Sequence, residues 1–245
     1  MAPSAAVRSS LVLAAWCMLA AVAPAAAAQP DGVLRGKTLY VESCASCHGA
    51  GGEGTGNGPA LTESGAAAVD FYLRTGRMPL ASSNDQAVRK DPAFSEDEIA
   101  EIVAYVARLG SGPEIPAVYP EAAPLELGAL LYVGNCAPCH GAGGNGGAAG
   151  RGAIAPGLHR ATPVEIAEAL VIGPGEMPRF GFSQGERDAV VAYVDHLDDA
   201  GDPGGADIGG IGPVPEGFVA WGVGMLSLLV VSLLIGGRGK RGGSA

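Results

Sequence analysis

The chain has 245 residues and a mass of 24.3 kDa, with 40 glycines and only 5% aromatic side chains. This composition excludes a single large aromatic-rich core and favours small domains that need a filler other than side chains, because domains below ~80 residues rarely stabilise themselves on apolar side chains alone. The formal net charge of −10 excludes nucleic acid as an expected partner, since phosphate binding needs a basic face.

The N-terminal segment, residues 1–28, is an apolar run that follows Arg8 and ends in three alanines. A positive residue, an apolar run and a small-residue cleavage site predict a secretory signal peptide. An uncleaved N-terminal anchor is the alternative, because the run is almost long enough to span a bilayer. We interpret Cys17 as an apolar residue of this signal, since the bulky Trp16 before it disfavours lipid attachment.

Two copies of one unit follow, which we place at residues 29–112 and 127–199. Each copy contains the pattern Gly-x-x-x-Tyr-x-x-x-Cys-Ala-x-Cys-His-Gly-Ala-Gly-Gly, first from Gly36 and again from Gly128. Each copy later contains a Met-Pro pair and a second helical pattern. The first copy carries an insertion around residues 82–93, and the second has a longer stretch before its Met. Residues 113–126 between them contain four prolines at intervals of three or four residues, which predict a stiff, extended linker.

Each unit is expected to be mostly α, with no convincing strand. One helix leads into the Cys-x-x-Cys-His pentad. A middle helix is predicted over Glu63–Thr75 and over Pro163–Val171. A closing amphipathic helix is predicted over Ser95–Leu109 and over Ser183–Leu197, because apolar residues recur at helical spacing there.

The C-terminal part divides into a Gly/Pro-rich tether at residues 200–217, a membrane span at 218–237 and a tail at 238–245. The stretch Phe218–Ile235 carries no charge, and with its flanking glycines it reaches ~30 Å as a helix, the thickness of a bilayer core. Arg238, Lys240 and Arg241 follow it directly. This excess of basic residues predicts a single-pass membrane protein with a cytoplasmic C-terminus and the preceding units outside the cytoplasm.

Four of the five cysteines lie in two Cys-x-x-Cys-His pentads, the pattern of covalent haem c attachment. Positions i, i+3 and i+4 share one helix face, so both cysteines can reach the porphyrin edge while the histidine coordinates the iron. The residues so assigned are Cys44, Cys47 and His48 in the first unit and Cys136, Cys139 and His140 in the second. A zinc site would need the cysteine pairs to converge, and a redox dithiol would need a βαβ context. We therefore predict two covalently bound haem c groups.

Met78 and Met177 are the expected second axial ligands. Outside the signal and the membrane span, each unit contains one Met, which lies after the pentad and before a proline. Proline restricts its own backbone and that of the residue before it, which suits a stiff loop that holds a thioether over the iron. With both axial positions filled by His and Met, such a haem transfers electrons and has no open site for oxygen or peroxide. His159 and His196 have no counterpart in the other copy, and we interpret them as surface residues.

Repeated glycine and tyrosine positions support each pentad. One turn of helix separates Gly36 from Tyr40, and Gly128 from Tyr132, which leaves a bare helix surface beside an aromatic ring. We expect Tyr105 of the closing helix to pack there in the first unit, and its counterpart Tyr193 to do the same in the second. This contact would form a wall of the haem pocket.

The repeated pentads, the paired Met-Pro motifs and the single C-terminal span resemble tandem class I cytochrome c domains. More narrowly, they resemble the dihaem cytochrome c subunit of the actinobacterial cytochrome bc (bcc-type) complex. The resemblance implies that Pro59, Leu61, Pro156 and Leu158 line the haem pockets. It also implies a respiratory electron path from the Rieske iron–sulfur subunit, beside cytochrome b, through both haems to a terminal cytochrome c oxidase in a supercomplex.

Two other functions remain open at this stage. One is a free-standing, membrane-anchored dihaem carrier or an electron donor associated with an oxidase. The other is a dihaem peroxidase-like enzyme, which would need an exchangeable axial position on one iron. The leading interpretation assigns quinol oxidation to partner subunits and leaves this chain as the electron-carrying subunit of a quinol–cytochrome c reductase, without a quinone site of its own.

Overall fold

A computed structural model describes residues 30–83, 85–199 and 213–239. The expected signal peptide with Cys17, most of the expected tether and the end of the C-terminal tail lie outside these residues. Within them the chain is mostly helical, as predicted, and carries one candidate membrane-spanning helix at the C-terminal end.

The first unit contains helices α1 (Pro30–Ser43), α2 (Ala45–His48), α3 (Gly65–Arg74) and α4 (Glu96–Val106). Helices α1 and α4 cross so closely that a Cβ at Gly36 would overlap the carbonyl oxygen of Glu101. Beside this crossing, the rings of Tyr40 and Tyr105 lie 5.3 Å apart. The glycine therefore lets the two backbones meet, and Tyr105 packs beside Tyr40 as the sequence predicts.

The second unit contains helices α5 (Leu125–Asn135), α6 (Ala137–His140), α7 (Pro163–Ile172) and α8 (Gln184–Asp199). The same crossing recurs between α5 and α8, where a Cβ at Gly128 would overlap the carbonyl oxygen of Ala189. The rings of Tyr132 and Tyr193 lie 5.4 Å apart. A 3₁₀ turn (Pro120–Ala122) lies in the linker, just before α5.

The helix boundaries follow local signals. Ser95 caps α4 with a full capping box, in which the Ser95 hydroxyl accepts from the Glu98 amide and the Glu98 carboxylate accepts from the Ser95 amide. Thr162 and Glu165 form the same box at the start of α7. Such a box satisfies backbone donors that a helix start would leave unpaired. The middle and closing helices thus begin and end within about three residues of the predicted bounds.

The expectation of no strand is wrong in one place. Strands β1 (Gly147–Gly150) and β2 (Ala153–Ala155) pair antiparallel in the longer stretch of the second unit, with Gly147 opposite Ala155. Arg151 has φ 49° and Gly152 φ 80° at the turn. Small residues dominate both strands, so the sequence shows no alternation of large apolar and polar side chains that would predict them.

The two units contact each other through α3 and α7. Phe71 of α3 and Ile172 of α7 are buried in one apolar cluster with Ala67. Beside it, Arg89 of the first unit forms an ion pair with Glu165 of the second. The carboxyl groups of Asp70 and Glu168 are also buried at this contact.

The last described helix, α9 (Pro213–Gly239), contains the candidate span Gly217–Gly236, with 20 residues and a mean hydropathy of 2.4. None of this stretch is buried against the other residues that the structure describes. The helix begins at Pro213, so the final residues of the expected tether are helical. Length, hydropathy and exposure together suit a helix that anchors the protein in a membrane.

Candidate functional site

Each Cys-x-x-Cys-His pentad forms a single short turn of helix directly after a longer one. In the first unit the amides of Cys47 and His48 both donate to the carbonyl of Cys44, at 3.1 and 2.9 Å. The corresponding bonds in the second unit measure 3.1 and 2.8 Å from Cys139 and His140 to Cys136. The two cysteines and the histidine are therefore held together on one turn, as predicted.

The histidine of each pentad is oriented by a proline carbonyl. His48 Nδ1 lies 2.8 Å from the carbonyl oxygen of Pro59, and His140 Nδ1 lies 2.9 Å from that of Pro156. A carbonyl oxygen only accepts, so Nδ1 carries a proton, and in the neutral form of the ring Nε2 has the lone pair. An imidazole fixed in this way is the form that ligates a metal.

A tyrosine hydroxyl supports the loop after each histidine. Tyr40 Oη donates to the carbonyl of Gly49, and Tyr132 Oη donates to that of Gly141, both at 2.7 Å. Burial raises the pKa of Tyr40 to about 12 and raises that of Tyr132 as well. Both hydroxyls therefore stay protonated and able to donate throughout the physiological pH range. The sequence predicts the packing of these rings but not their hydrogen bonds.

A cavity of about 700 Å³ opens beside the pentad of the second unit. Its walls contain Cys136, Cys139, His140 and Met177, with Pro156, Leu158, Tyr132 and Val194. This volume is typical of a cofactor site. The structure thus brings the predicted thiol pair, the imidazole, the thioether and both expected lining residues around one cavity.

The backbone around Met177 folds back onto α7. Gly173 ends α7 with φ 62°, and a Cβ there would lie 2.8 Å from the Met177 carbonyl oxygen. The Met177 amide donates to the carbonyl of Pro174 at 3.1 Å, and Phe180 donates to Leu170 at 2.8 Å. The backbone is therefore hydrogen-bonded on both sides of the methionine, which lines the cavity.

In the first unit, Cys44, Leu61 and Met78 pack against the same apolar cluster, which includes Tyr40 and Leu73. The Met78 amide donates to the Tyr72 carbonyl at 3.0 Å. A neighbouring hydrogen bond, from the amide of Lys90 to the carbonyl of Thr75 at 3.1 Å, ties the end of the insertion to the same loop. Here too the thioether and the first cysteine meet on one core.

The surroundings of the first cysteine of each pentad favour its neutral thiol form. Burial, with the neighbouring cysteine as a smaller cause, raises the pKa of Cys44 and of Cys136 to about 11. Zinc binds the thiolate form. In the described residues, no cluster of three or more His, Cys, Asp or Glu side chains is suited to a metal. These apolar surroundings suit thioether bonds to a porphyrin edge better than a zinc site.

The two remaining histidines lie away from both sites. His159 is exposed, with Nε2 2.7 Å from Asn145 Oδ1 and Nδ1 paired with Asp198. His196 is exposed and its ring centroid lies 6.3 Å from that of Tyr193. Neither lines the cavity of the second unit. Both are surface residues, as the sequence predicts.

The first unit also supplies part of the wall of the second cavity, a contact that the sequence alone does not predict. Phe71, Tyr72, Arg77 and residues 86–89 all line it. The insertion of the first unit therefore lies against the second unit, where it forms part of the cavity wall. One signal in the sequence is a reversal of charge: Arg77 precedes Met78 in the first copy, whereas Glu176 precedes Met177 in the second.

Two family models match the chain, one for each unit. Residues 33–110 match "Cytochrome c", and residues 123–194 match "Cytochrome C oxidase, cbb3-type, subunit III". Together with the pentads, these matches show that the chain has two cytochrome c domains and carries covalently bound haem c. The nitrogen and sulfur donors at the second cavity, and the cavity's size, fit that group.

Several curated proteins are similar over most of their length. The cytochrome bc1 complex cytochrome c subunit of Mycobacterium tuberculosis H37Rv is 41% identical over 216 residues, which cover 83% of this chain and 77% of that protein. The subunit of the same name from Corynebacterium efficiens is 36% identical over 229 residues, covering 84% and 77%. The Cbb3-type cytochrome c oxidase subunit CcoP of Azospirillum brasilense is 26% identical over 179 residues, covering 67% and 57%.

Proposed function

This chain belongs to the family of cytochrome bc1 complex cytochrome c subunits, and from that membership we propose that it carries electrons from a Rieske iron–sulfur subunit to a terminal cytochrome c oxidase. The single observation that carries this proposal is the presence of two sites of the same design in one anchored chain. Each has a histidine with its Nε2 lone pair free and a methionine held by a closed loop.

The proposed iron ligands are His48 and Met78 in the first domain and His140 and Met177 in the second. Cys44, Cys47, Cys136 and Cys139 are the proposed attachment points, as the two pentads indicate. When bound, haem c supplies a one-electron ferric/ferrous couple, whose potential is high with His/Met ligation. The protein holds each imidazole through a proline carbonyl, and the leucines Leu61 and Leu158 help to exclude water on the histidine side.

We place the first domain at residues 29–112, the second at 127–199 and the stiff linker between them at 113–126. A tether at 200–217, whose last residues begin helix α9, leads to the span at 218–237. The basic residues after the span support a cytoplasmic tail and haem domains on the opposite side of the cell membrane. An N-terminal signal at residues 1–28 agrees with that orientation.

The charge distribution supports a fixed partner over a diffusing one. All 25 acidic residues lie between Asp31 and Glu216, and Lys37 and Lys90 are the only lysines ahead of the span. A soluble carrier gains association rate from steering by charge, whereas a tethered domain already has a high effective concentration at its partner. A subunit that stays beside cytochrome b, the Rieske subunit and an oxidase in one supercomplex needs no such steering.

Purification of the tagged chain from native membranes in a mild detergent tests the proposal. We expect the Rieske subunit, a cytochrome b and a cytochrome c oxidase to co-purify, and quinol to reduce the bound c-type haems in a manner sensitive to loss of the Rieske subunit. Isolation of the chain alone, with no b-type haem, would contradict it.

A second candidate is an electron donor that belongs to an oxidase alone. The match of residues 123–194 to a cbb3-type oxidase subunit and the similarity to CcoP favour it specifically. The same purification separates the two candidates, because this one predicts an oxidase without cytochrome b or a Rieske subunit.

A further inference from the structure

The cavity of the second domain is closed in part by the first domain. Phe71, Tyr72, Arg77 and the segment 86–89 of the first domain face Met177 and His140 across it. A group bound in this cavity would therefore touch side chains of both domains.

Arg77 is the least satisfied charged group on this wall. Its guanidinium lies over the Phe71 ring, 5.0 Å from the ring centroid, and its Nη1 is buried with no hydrogen-bond partner in the part of the chain that the structure describes. A buried guanidinium nitrogen without an acceptor costs free energy, because the water it leaves is not replaced. Nη1 of Arg77 therefore has no acceptor among the described residues, and a group bound in the cavity that Arg77 lines could supply one.

The charges around Arg77 point to an anion. Arg89 lies on the same wall and acts on Arg77 as a like charge, and Arg89 itself is already paired with Glu165. Tyr72 and Glu165 are the other titratable groups that act on Arg77. Arg151 and Glu176 also line the cavity, but both are exposed. Two arginines share one carboxylate here, so a negative group beside Arg77 would balance the charge.

We propose that Arg77 of the first domain binds a propionate of the haem in the second domain. Haem c carries two propionate groups, and a guanidinium binds a carboxylate with paired, charge-assisted hydrogen bonds. Arg77 precedes Met78, the proposed ligand in the first domain, so one residue would connect the two haem sites. This inference rests on the proposed haem site of the second domain, and not on the electron route.

The consequence is a difference between the two haems. A positive charge beside the second haem stabilises its reduced form, which carries one more electron, and it keeps the propionate ionised. In Arg77→Gln, we expect the midpoint potential of the second haem to fall, with a smaller change in the first. We also expect that potential to become pH-dependent near neutrality, since the pKa of an unpaired buried carboxyl rises.

The test is a redox titration of the full-length protein in detergent across a series of pH values. Met177→Ala identifies the second haem, because loss of its thioether displaces that haem's titration wave. Arg77→Lys keeps the charge without the planar guanidinium and should restore most of the potential, which a merely structural role would not predict. Arg35→Gln is the matched control, since Arg35 is an exposed arginine of the first domain that pairs with Glu101.

The inference is supported if Arg77→Gln and Met177→Ala displace the same wave and only Arg77→Gln adds a pH dependence that Arg77→Lys lacks. It is overturned if Arg77→Gln leaves both waves and their pH profiles unchanged, or moves the first haem at least as far as the second. If Met177→Ala displaces neither wave, the haem-site assignment fails and takes this inference with it. Pyridine haemochrome counting in each variant shows that two haems are still attached.

Discussion

At the scale of single residues, the proposed sites depend on backbone carbonyls as much as on the ligands themselves. The carbonyls of Pro59 and Pro156 each accept from an imidazole Nδ1, and those of Gly49 and Gly141 each accept from a tyrosine. These partners are outer-shell groups that orient a ligand and fix its tautomer. They recur in both domains with nearly equal distances. This repetition indicates that the hydrogen bonds serve to orient the proposed metal ligand in each domain and are not a chance feature of one domain.

Replacing the proposed thioether ligands one at a time gives the first prediction. Met78→Ala and Met177→Ala should each open one axial position, so the reduced protein should bind one equivalent of carbon monoxide per variant and lose potential at that haem. Optical titration with carbon monoxide, with the unmodified protein as the control, measures this. Unchanged spectra in both variants would show that other residues bind the irons.

A second prediction concerns the glycine where α1 crosses α4. In Gly36→Ala, the new methyl would collide with the Glu101 carbonyl, and backbone cannot move aside as a side chain can. Overpacking of this kind costs about 1–3 kcal/mol of unfolding free energy. Gly134→Ala is the matched control, because Gly134 lies in α5 and a methyl group there would meet nothing within 4 Å, and it should be neutral or stabilising by up to ~1 kcal/mol. Urea denaturation followed by circular dichroism compares them, and equal stability of the two variants would contradict the close crossing.

At the scale of elements, the contact of α3 with α7 combines an apolar cluster with buried carboxyl groups. The side chain of Glu168 is fully buried beside Asp70, and among the described residues no donor group reaches either of its carboxyl oxygens. Burial, followed by the nearby charge of Asp70, raises the pKa of Glu168 to about 9, although Arg74 acts in the opposite direction. Glu168 is therefore protonated at neutral pH.

The pH dependence of stability follows from this shift. The folded protein holds a proton on Glu168 that the unfolded chain releases above its ordinary pKa of 4.5. Stability from this group is therefore complete below that pH and is lost as the pH rises toward 9. Glu168→Gln, which is neutral at every pH, should remove this loss and gain on the order of 3 kcal/mol near pH 7.

Denaturant titrations at about pH 5 and about pH 8 measure this effect. Glu126→Gln serves as the control, because Glu126 is exposed at the start of α5. Parallel losses of stability between the two pH values in Glu168→Gln and in the unmodified protein would contradict the prediction.

The sequence predicts the helices of this fold well, and the reason is physical. Each capping box is a local signal that spans only four residues, as in Ser95 with Glu98 and in Thr162 with Glu165. The apolar periodicity of the helix that follows is a local property too. The β1–β2 pair lacks large side chains and thus any such periodicity. The packing of α3 on α7 is a long-range contact between domains. The sequence around Phe71 does not specify that its side chain packs against Ile172.

The residues of the candidate sites also fall into those that a local motif identifies and those that only the fold brings together. The pentads and the Met-Pro pairs are short motifs, so the sequence identifies their residues directly. The carbonyl partners of His48 and His140 lie 11 and 16 residues away, and the contribution of Arg77 depends on how two domains meet. Such partners become visible only when the chain is folded.

At the scale of the whole molecule, two haem domains share an interface and end in one exposed apolar helix. A chain that stops before Pro213 lacks α9 and its span. We expect this variant to keep both haems, because the described contacts of both domains lie ahead of α9, and to leave the membrane fraction. Fractionation of cells with haem staining measures this, with the full-length chain as the control. Retention of the shortened chain in washed membranes would contradict α9 as the anchor on which the attachment depends.

The part that the first domain takes in the wall of the second cavity also bears on biogenesis. In the proposed orientation the chain crosses the membrane N-terminus first, so Phe71, Tyr72 and residues 86–89 emerge before the second pentad. The earlier domain can then serve as an internal template on which the later one closes. We therefore expect haem attachment to proceed from the first domain to the second. Substitutions of Cys44 and Cys47 that prevent haem attachment in the first domain should also reduce haem attachment in the second. Substitutions of the cysteines in the second pentad should leave haem attachment in the first domain unchanged.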